Sequence, residues 1–277
     1  MKILSIGDIH GEETWKLLTH GSYLDYDMWR SAVSHGAPPD TDFWRELPFM
    51  SYDRIIFVGD YVDSFTVSNA IIKRNLEDIV HLRRSLGDRV ILLLGNHDVQ
   101  YIIPNVVCSG FRAEMKHDLY DIFTKNSDIF TIAHEETTED GEKWLWSHAG
   151  VTSGWFKELN KSMMNPRFRF SEVVKDFDPS KKKISELLNF AWEMRMACLH
   201  NVDVYSGGFN SWAGPLWVRP TIMNHWPLES YNQVMGHTPQ SAVWVVESDP
   251  DGEDYPGFKH HFIDCLHTAH EGLAIEI

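Results

Sequence analysis

Short apolar runs recur along this chain, and each gives way at once to a residue that can bind a metal or move a proton. Residues 2–6 run into Gly7-Asp8-Ile9-His10, residues 54–58 into Gly59-Asp60, and residues 89–94 into Gly95-Asn96-His97. Residues 143–147 lead to His148, and 231–235 lead to Gly236-His237. Runs this short and this rich in β-branched residues predict buried strands. In layered α/β folds, ligands and catalytic groups gather at the carboxyl ends of strands. A glycine there permits a sharp exit and a close backbone approach. One Asp-x-His or Gly-His alone is usually a turn. Five such strand ends in order are poorly explained that way.

Between these runs the periodicity changes. In 68–86, Ile72, Leu76, Ile79, Val80 and Arg83 fall on one helical face, and Gly87 stops the helix. Residues 113–125 and 184–199 also read as amphipathic helices, and Asp140-Gly141 predicts a hairpin turn. The last third reads as further strands at 242–247, 259–264 and 272–277. Without internal repeat or low-complexity linker, residues 1–277 read as one domain. The stretch between the first two motifs, about residues 12–53, is long. It holds Trp29, Pro38-Pro39, Phe43 and Trp44, and reads as an outlying subdomain with its own small core rather than as a substrate-shaping lid.

Composition excludes several classes. The apolar share of 43% suits a globular protein with a sizeable core. Acidic residues number 40 against 25 basic, a formal charge of −15, so no stable nucleic-acid binding and no membrane partner are expected. The three cysteines, Cys108, Cys198 and Cys265, are odd in number and far apart, which argues against a disulfide framework. The first residues pass directly into a strand-like run, unlike a signal peptide, and no apolar run reaches ~18 residues. The expectation is a soluble, cytoplasmic protein.

The strand ends offer Asp8, His10, Asp60, Asn96, His97, His148 and His237. Oxygen and imidazole donors without thiolate suit manganese, iron or zinc better than a structural zinc site. From the residues alone, His97 reads equally well as a ligand or as a group free of metal.

Together, Gly7-Asp8-Ile9-His10-Gly11, Gly59-Asp60-Tyr61-Val62-Asp63, Gly95-Asn96-His97-Asp98, Ser147-His148-Ala149-Gly150 and Gly236-His237-Thr238 resemble the ordered motifs of the calcineurin-like metallophosphoesterases. Within them the chain is most similar to the serine/threonine protein phosphatase branch and its bacterial and phage relatives. Ser109-Gly110-Phe111, Pro215-Leu216-Trp217-Val218-Arg219 and the ending Phe262-Ile263-Asp264 add to the likeness.

The resemblance implies an αββα sandwich of two mixed sheets face to face, flanked by helices. It implies two divalent cations, manganese ahead of iron or zinc. Asp8 and His10 would hold the first, Asp60 would bridge both, and Asn96, His148 and His237 would hold the second. A metal-bridging hydroxide would attack the phosphorus, with His97 as general acid and Asp63 fixing its tautomer. The implied reaction is hydrolysis of phosphomonoesters, phosphoserine or phosphothreonine in proteins among them. The alternatives are a dinucleoside polyphosphatase or phosphodiesterase, and an inactive binding scaffold.

The chain departs from the branch where Asp63-Ser64-Phe65 replaces Asp-Arg-Gly and Leu94 precedes Gly95. Two phosphate-gripping arginines are thereby missing. Arg219, with Asn96, becomes the first candidate to bind phosphate, and Arg112 a weaker one, although Arg219 beside Trp217 also reads as a snorkelling side chain. The missing arginines and Asp98 lean towards a nucleotide substrate. Plainer readings fit the rest. Cys265-Leu266-His267 with His270 is an incomplete zinc set, and His260-His261 lie on opposite faces of a strand. Lys181-Lys182-Lys183 and residues 135–142 are solvated surface. Gly207-Gly208-Phe209 and Trp212-Ala213-Gly214 are a site rim or plain turns.

Overall fold

The apolar runs fold as strands in the computed structural model, which describes residues 1–104, 106–164, 178–202, 207–248 and 258–277. The strands are β1 (Lys2–Ile6), β2 (Arg54–Phe57), β3 (Val90–Leu93), β4 (Phe130–Thr131), β5 (Ala133–Thr137), β6 (Lys143–Ser147), β7 (Tyr231–Met235), β8 (Trp244–Ser248), β9 (Phe258–Phe262) and β10 (Leu273–Glu276). The α-helices are α1 (Trp15–His20), α2 (Tyr23–Ser34), α3 (Asn69–Leu86), α4 (Asn96–Ile102), α5 (Lys116–Lys125), α6 (Ser153–Met164), α7 (Ile184–Glu193) and α8 (Pro220–His225). They form two five-stranded mixed sheets flanked by helices, in the α/β class that the motifs imply.

The chain divides into two compact units. The first comprises Met1–Thr131, Pro239–Trp244 and Ile263–Ile277; the second comprises Ile132–Thr238 and Val245–Phe262. In the first, the strand order is β10-β1-β2-β3-β4, with β1 to β4 parallel and β10 antiparallel to β1. Parallel pairing aligns the carboxyl ends of β1, β2 and β3, so the three motifs that follow them emerge along one side. Burial on both faces explains why β2 and β3 read as continuous apolar runs rather than alternating ones.

Helix α3 buries Ile72, Asn75, Leu76, Asp78, Ile79, Leu82 and Leu86, while Val80 and Arg83 lie half-exposed at the edge of that face. Two of its buried positions are polar because they anchor the segment at 12–53. Trp15 Nε1 donates to Asn75 Oδ1 at 2.7 Å, and the buried Lys16 ammonium lies 2.7 Å from Asp78 Oδ2. The Arg30 guanidinium reaches Asp78 Oδ1 at 2.7 Å. The segment folds as α1 and α2 with two short 3₁₀ turns, and Ser22 caps α2 by accepting from the Asp25 amide. Trp15, His20, Tyr26, Trp29 and Phe49 are all buried. Their rings meet Phe57 of β2 and His81 of α3, so the segment shares the first unit's core instead of owning one. The expectation of an outlying subdomain is corrected: its aromatics exceed what two short helices could bury between themselves.

In the second unit the sheet order is β5-β6-β7-β9-β8, with β5 antiparallel to β6 and β6, β7 and β9 parallel. The turn between β5 and β6 forms at Asp140-Gly141, where Gly141 has φ 92°. Helix α7 packs on β5 and α8 on β9. The helix expected over 184–199 stops at Glu193, because Arg195 takes a left-handed φ of 53°, and residues 197–200 continue as a 3₁₀ turn. His260 and His261 of β9 are both buried and face different neighbours, Asn224 and the Trp144 ring.

Candidate metal centre

In the first unit the loops after β1, β2 and β3 are stitched together through the main chain. The amides of Ile9 and His10 both donate to the Asp60 carbonyl, at 3.1 and 2.7 Å, and the Gly11 amide donates to the Tyr61 carbonyl. The buried carboxylate of Asp98 accepts three more amides: Asp60 at 2.8 Å, Tyr61 at 2.9 Å and Gly95 at 2.8 Å. Asp98 stands in the first turn of α4, where a carboxylate is favoured by the helix dipole and can satisfy the amide at the helix start. These loops also touch. A Cβ on Gly59 would lie 2.5 Å from the Gly95 nitrogen, and one on Gly95 would lie 2.1 Å from Asp60 Oδ1, so only glycine fits at either position.

His10, Asp60 and Asp63 all have positive φ, at 44°, 51° and 65°. Such backbone costs roughly 1–3 kcal/mol per residue and persists where surrounding bonds over-determine it. Here the result is convergence: Asp8, His10 and Asp60 bring one ligand atom each to within 4.8 Å of one another. The remaining donors prepare them. His10 Nδ1 donates to the Val62 carbonyl at 3.0 Å, which leaves Nε2 as the ligand nitrogen, 3.8 Å from Asp60 Oδ2. Asp60 Oδ1 accepts the His97 amide at 2.9 Å, which leaves Oδ2 to face His10.

Beside this group His97 Nδ1 lies 3.3 Å from Asp63 Oδ2, and the two rings of His10 and His97 stand edge to face with centroids 5.1 Å apart. Asp63 is held in turn by Gln100 Nε2 and the Tyr101 hydroxyl, and that hydroxyl accepts the Arg112 amide at 2.8 Å. Burial lowers the basicity of the His97 imidazole, but the charges of Asp60, Asp63 and Asp98 outweigh it and push its pKa up to about 9. Hydrogen-bonded to Asp63 and set beside the ligand group, the imidazole has the placement that a general acid needs. Asn96, buried at the first position of α4, completes the first unit's share of the expected residues. Above them opens a cleft of ≈ 270 Å³, lined by His10, His97, Asp63, Ser109 and Phe65 among others.

The second unit presents its two expected ligands as a pair. His148 follows β6 and His237 follows β7; both are buried, with ring centroids 5.1 Å apart. The Gly236 amide donates to the His148 carbonyl at 2.8 Å, tying the two loops together. His237 has φ 68°, and its Nε2 donates to the Trp217 carbonyl at 3.2 Å. Arg219 braces the same loop. Its Nε donates to the Gly207 carbonyl at 3.1 Å, and Nη1 reaches Thr238 Oγ1 at 3.2 Å and the His237 carbonyl at 3.5 Å.

Residues 1–251 match the model of the calcineurin-like phosphoesterases. The chain belongs to that family. It is accordingly a metal-dependent phosphoesterase, a hydrolase, by family. No curated protein sequence matches it. Among solved structures it is similar to a cold-active protein-tyrosine phosphatase of Shewanella (18% identity, 99% of this chain and 75% of that one, TM-score 0.46). It is also similar to the phosphatase domain of the Legionella effector WipB (13%, 87% and 100%, TM-score 0.47). A dimetal phosphatase of Danio rerio gives 13% identity over 95% of this chain and 86% of that one, with TM-score 0.33.

The donor set fits the cations that this phosphoesterase family employs: carboxylate oxygens and an imidazole nitrogen converge, with His10 and Asp60 each oriented by a main-chain partner. Two weaker sequence readings change. Arg112 points its guanidinium at the carbonyls of Ser64 and Val67 and at Asn69 Oδ1, so it shapes the loop after Asp63 and does not grip phosphate. Asp98 is spent on three amides, so its presence says nothing about nucleotides. What sequence reading missed was the support. Asp98 carried a signal, an acidic residue in a helix's first turn, whereas the carbonyls of Val62 and Trp217 carry none. Among the described residues, no helix is long and apolar enough to cross a membrane.

Proposed function

We propose that the protein hydrolyses phosphate monoesters, on proteins and on small molecules, with two divalent cations, manganese foremost. The observation that carries this reading is the convergence of Asp8, His10 and Asp60 beside a His97–Asp63 pair. Asp8, His10 and Asp60 would hold one cation, and Asp60, Asn96, His148 and His237 would be the ligands of the second. When bound, the cations neutralise phosphate charge and lower the pKa of water. His97 gives its Nε2 proton to the departing ester oxygen, while Asp63 on Nδ1 fixes the tautomer and stabilises the charged ring. Asn96 would orient a phosphoryl oxygen, and Arg219 braces the loop that carries His237.

A polyphosphate substrate is less well served. Among the described residues that line the cleft there is no Lys or Arg to receive a second or third phosphate, while Glu12 and Asp63 are both there. A bare scaffold would have no use for a buried, strained and oriented donor set.

The test is hydrolysis of p-nitrophenyl phosphate and of glycerol 2-phosphate after chelation, with Mn²⁺ added back, by wild type and His97→Asn. Activity should return only with the cation. The variant should lose ~10²–10⁴-fold on the alkyl ester and clearly less on p-nitrophenyl phosphate, whose leaving group needs little protonation. Equal losses on both esters would remove His97 from the role of acid. A wild type inactive with every cation tried would remove the hydrolytic reading.

A further inference from the structure

Hydrolysis as described makes no use of one wall of the cleft. Phe65 is 84% exposed, the highest value for a large apolar side chain among the described residues. It forgoes the burial that a phenylalanine ordinarily gains, and yet the turn that carries it is held in place. Ser64 Oγ accepts the amides of Thr66 and Val67 at 3.2 and 3.1 Å, closing a tight turn around it. Arg112 clamps the carbonyls on either side, those of Ser64 and Val67. Gly110, with φ 78°, lies under the ring: a Cβ there would come to 3.8 Å from Phe65 Cζ. The result is an aromatic face presented by a braced loop, two residues from the aspartate that holds His97.

The cleft says what that face is for. His97 and Phe65 line the same space of ≈ 270 Å³, with Pro239 and His267 also on its walls. A cavity of about 150 Å³ is enough for benzene, so one aromatic ring fits beside a phosphoryl group. The carboxylates of Glu12 and Asp63 and the lack of Lys or Arg in the described lining disfavour an anionic leaving group. A neutral, flat one is favoured.

We propose that Phe65 is the platform for the leaving group and that the preferred substrates are aryl phosphate monoesters, of which a phosphorylated tyrosine side chain is the protein-borne case. The proposal rests on the hydrolytic reading above, and turns its specificity away from the phosphoserine and phosphothreonine that the motifs imply. In the reaction the water oxygen bonds to phosphorus and the aryl P–O bond breaks. The phenolate oxygen takes the His97 proton, giving a phenol and inorganic phosphate.

The experiment separates binding from turnover. Mn²⁺-loaded wild type, Phe65→Ala and Phe65→Tyr are titrated calorimetrically with phenylphosphonate and propylphosphonate, which have the same charged group and no ester to cleave. They are then assayed on phenyl phosphate and glycerol 2-phosphate, and on a phosphotyrosine and a phosphoserine peptide of one sequence. Wild type should favour the phenyl ligand. Phe65→Ala should cut the phenyl-over-propyl preference by ~3–10-fold, and Phe65→Tyr should restore it. The peptide pair should follow if the substrate is a protein, and the small esters alone if it is not. A preference unchanged by Phe65→Ala overturns the platform, whether or not the esters are hydrolysed. Phe65-dependent phenyl binding without turnover keeps the platform and fells the hydrolytic reading instead.

Discussion

The two units hold their functional loops by different means. In the first, a charged group organises the loops: Asp98 draws the amides of Asp60, Tyr61 and Gly95 onto one buried carboxylate. In the second, a neutral group does it. Buried Gln233 of β7 accepts the Val151 amide at 2.9 Å and donates to the Val151 carbonyl at 3.0 Å, fixing the turn that follows His148. The first unit brings three loop amides to one point, and an ionised carboxylate, with its several lone pairs, can accept all three. The second presents two imidazoles, which impose no such demand, and an amide suffices. A charged organiser gives stiffness at the price of intolerance to change.

The largest effect should therefore come from Asp98→Asn. The amide keeps the shape, but it places an NH₂ against one or more of three N–H donors and removes the charge that makes these bonds strong. A loss of roughly 3–4 kcal/mol is expected, in the range for breaking a buried ionic network. Phosphatase activity should fall with it, since Asp60 and the start of α4 both lose their anchor. Urea unfolding and turnover at saturating Mn²⁺ measure the two. A variant within 1 kcal/mol of wild type would mean that the charge is not what organises these loops.

Gln233→Leu is the matching change in the second unit. Leucine fills most of the volume but leaves one buried amide and one carbonyl of Val151 without their partner, for roughly 2 kcal/mol. The comparison predicts that this loss is smaller than that of Asp98→Asn. It also predicts that Gln233→Glu is no better than leucine, because a carboxylate cannot donate to the Val151 carbonyl. If the order of the two losses were reversed, the distinction between a charged and a neutral organiser would fail.

Legibility in the sequence followed the same line. The ends of β1, β2, β3, β6 and β7 were readable because each apolar run is short, β-branched and terminated by a polar motif. Asp8, His10 and Asp60 lie close together, as do His97 and Asp63 within the same unit. Three things were not readable. The carbonyls of Val62 and Trp217 belong to residues whose side chains have no part in the bond. Asn75 and Asp78 are polar letters on a buried helix face, and their partners, Trp15, Lys16 and Arg30, are over forty residues away. Ser64-Phe65 looked like the mere loss of an Arg-Gly pair, since nothing local shows that Arg112 and Gly110 would brace the loop that carries an exposed ring.

The histidines carry the contrast into pH dependence, with a smaller effect. Before any cation binds, His97, among carboxylates, has its pKa raised to about 9, so its contribution to stability is complete below pH ~6.5 and lost as pH rises towards 9. His261 in the second unit behaves in the opposite way. Burial, and secondarily the Lys259 charge, lower its pKa to about 4, and neither ring nitrogen has a hydrogen-bond partner among the described residues. It is neutral when folded, so its contribution is complete above pH ~6.5, where the unfolded histidine is neutral too. That contribution is lost as pH falls towards 4, because the unfolded chain takes up a proton that the folded one refuses. The cost grows by about 1.4 kcal/mol per pH unit for one such group. His261→Phe keeps the ring against Trp144 and abolishes the titration. Chemical denaturation at pH 7 and pH 5.5 should show the variant gaining roughly 1 kcal/mol on wild type between the two conditions. An equal fall in both proteins would place the acid sensitivity elsewhere, and His260, lowered to about 4 by burial and then by His261, is the next group to replace.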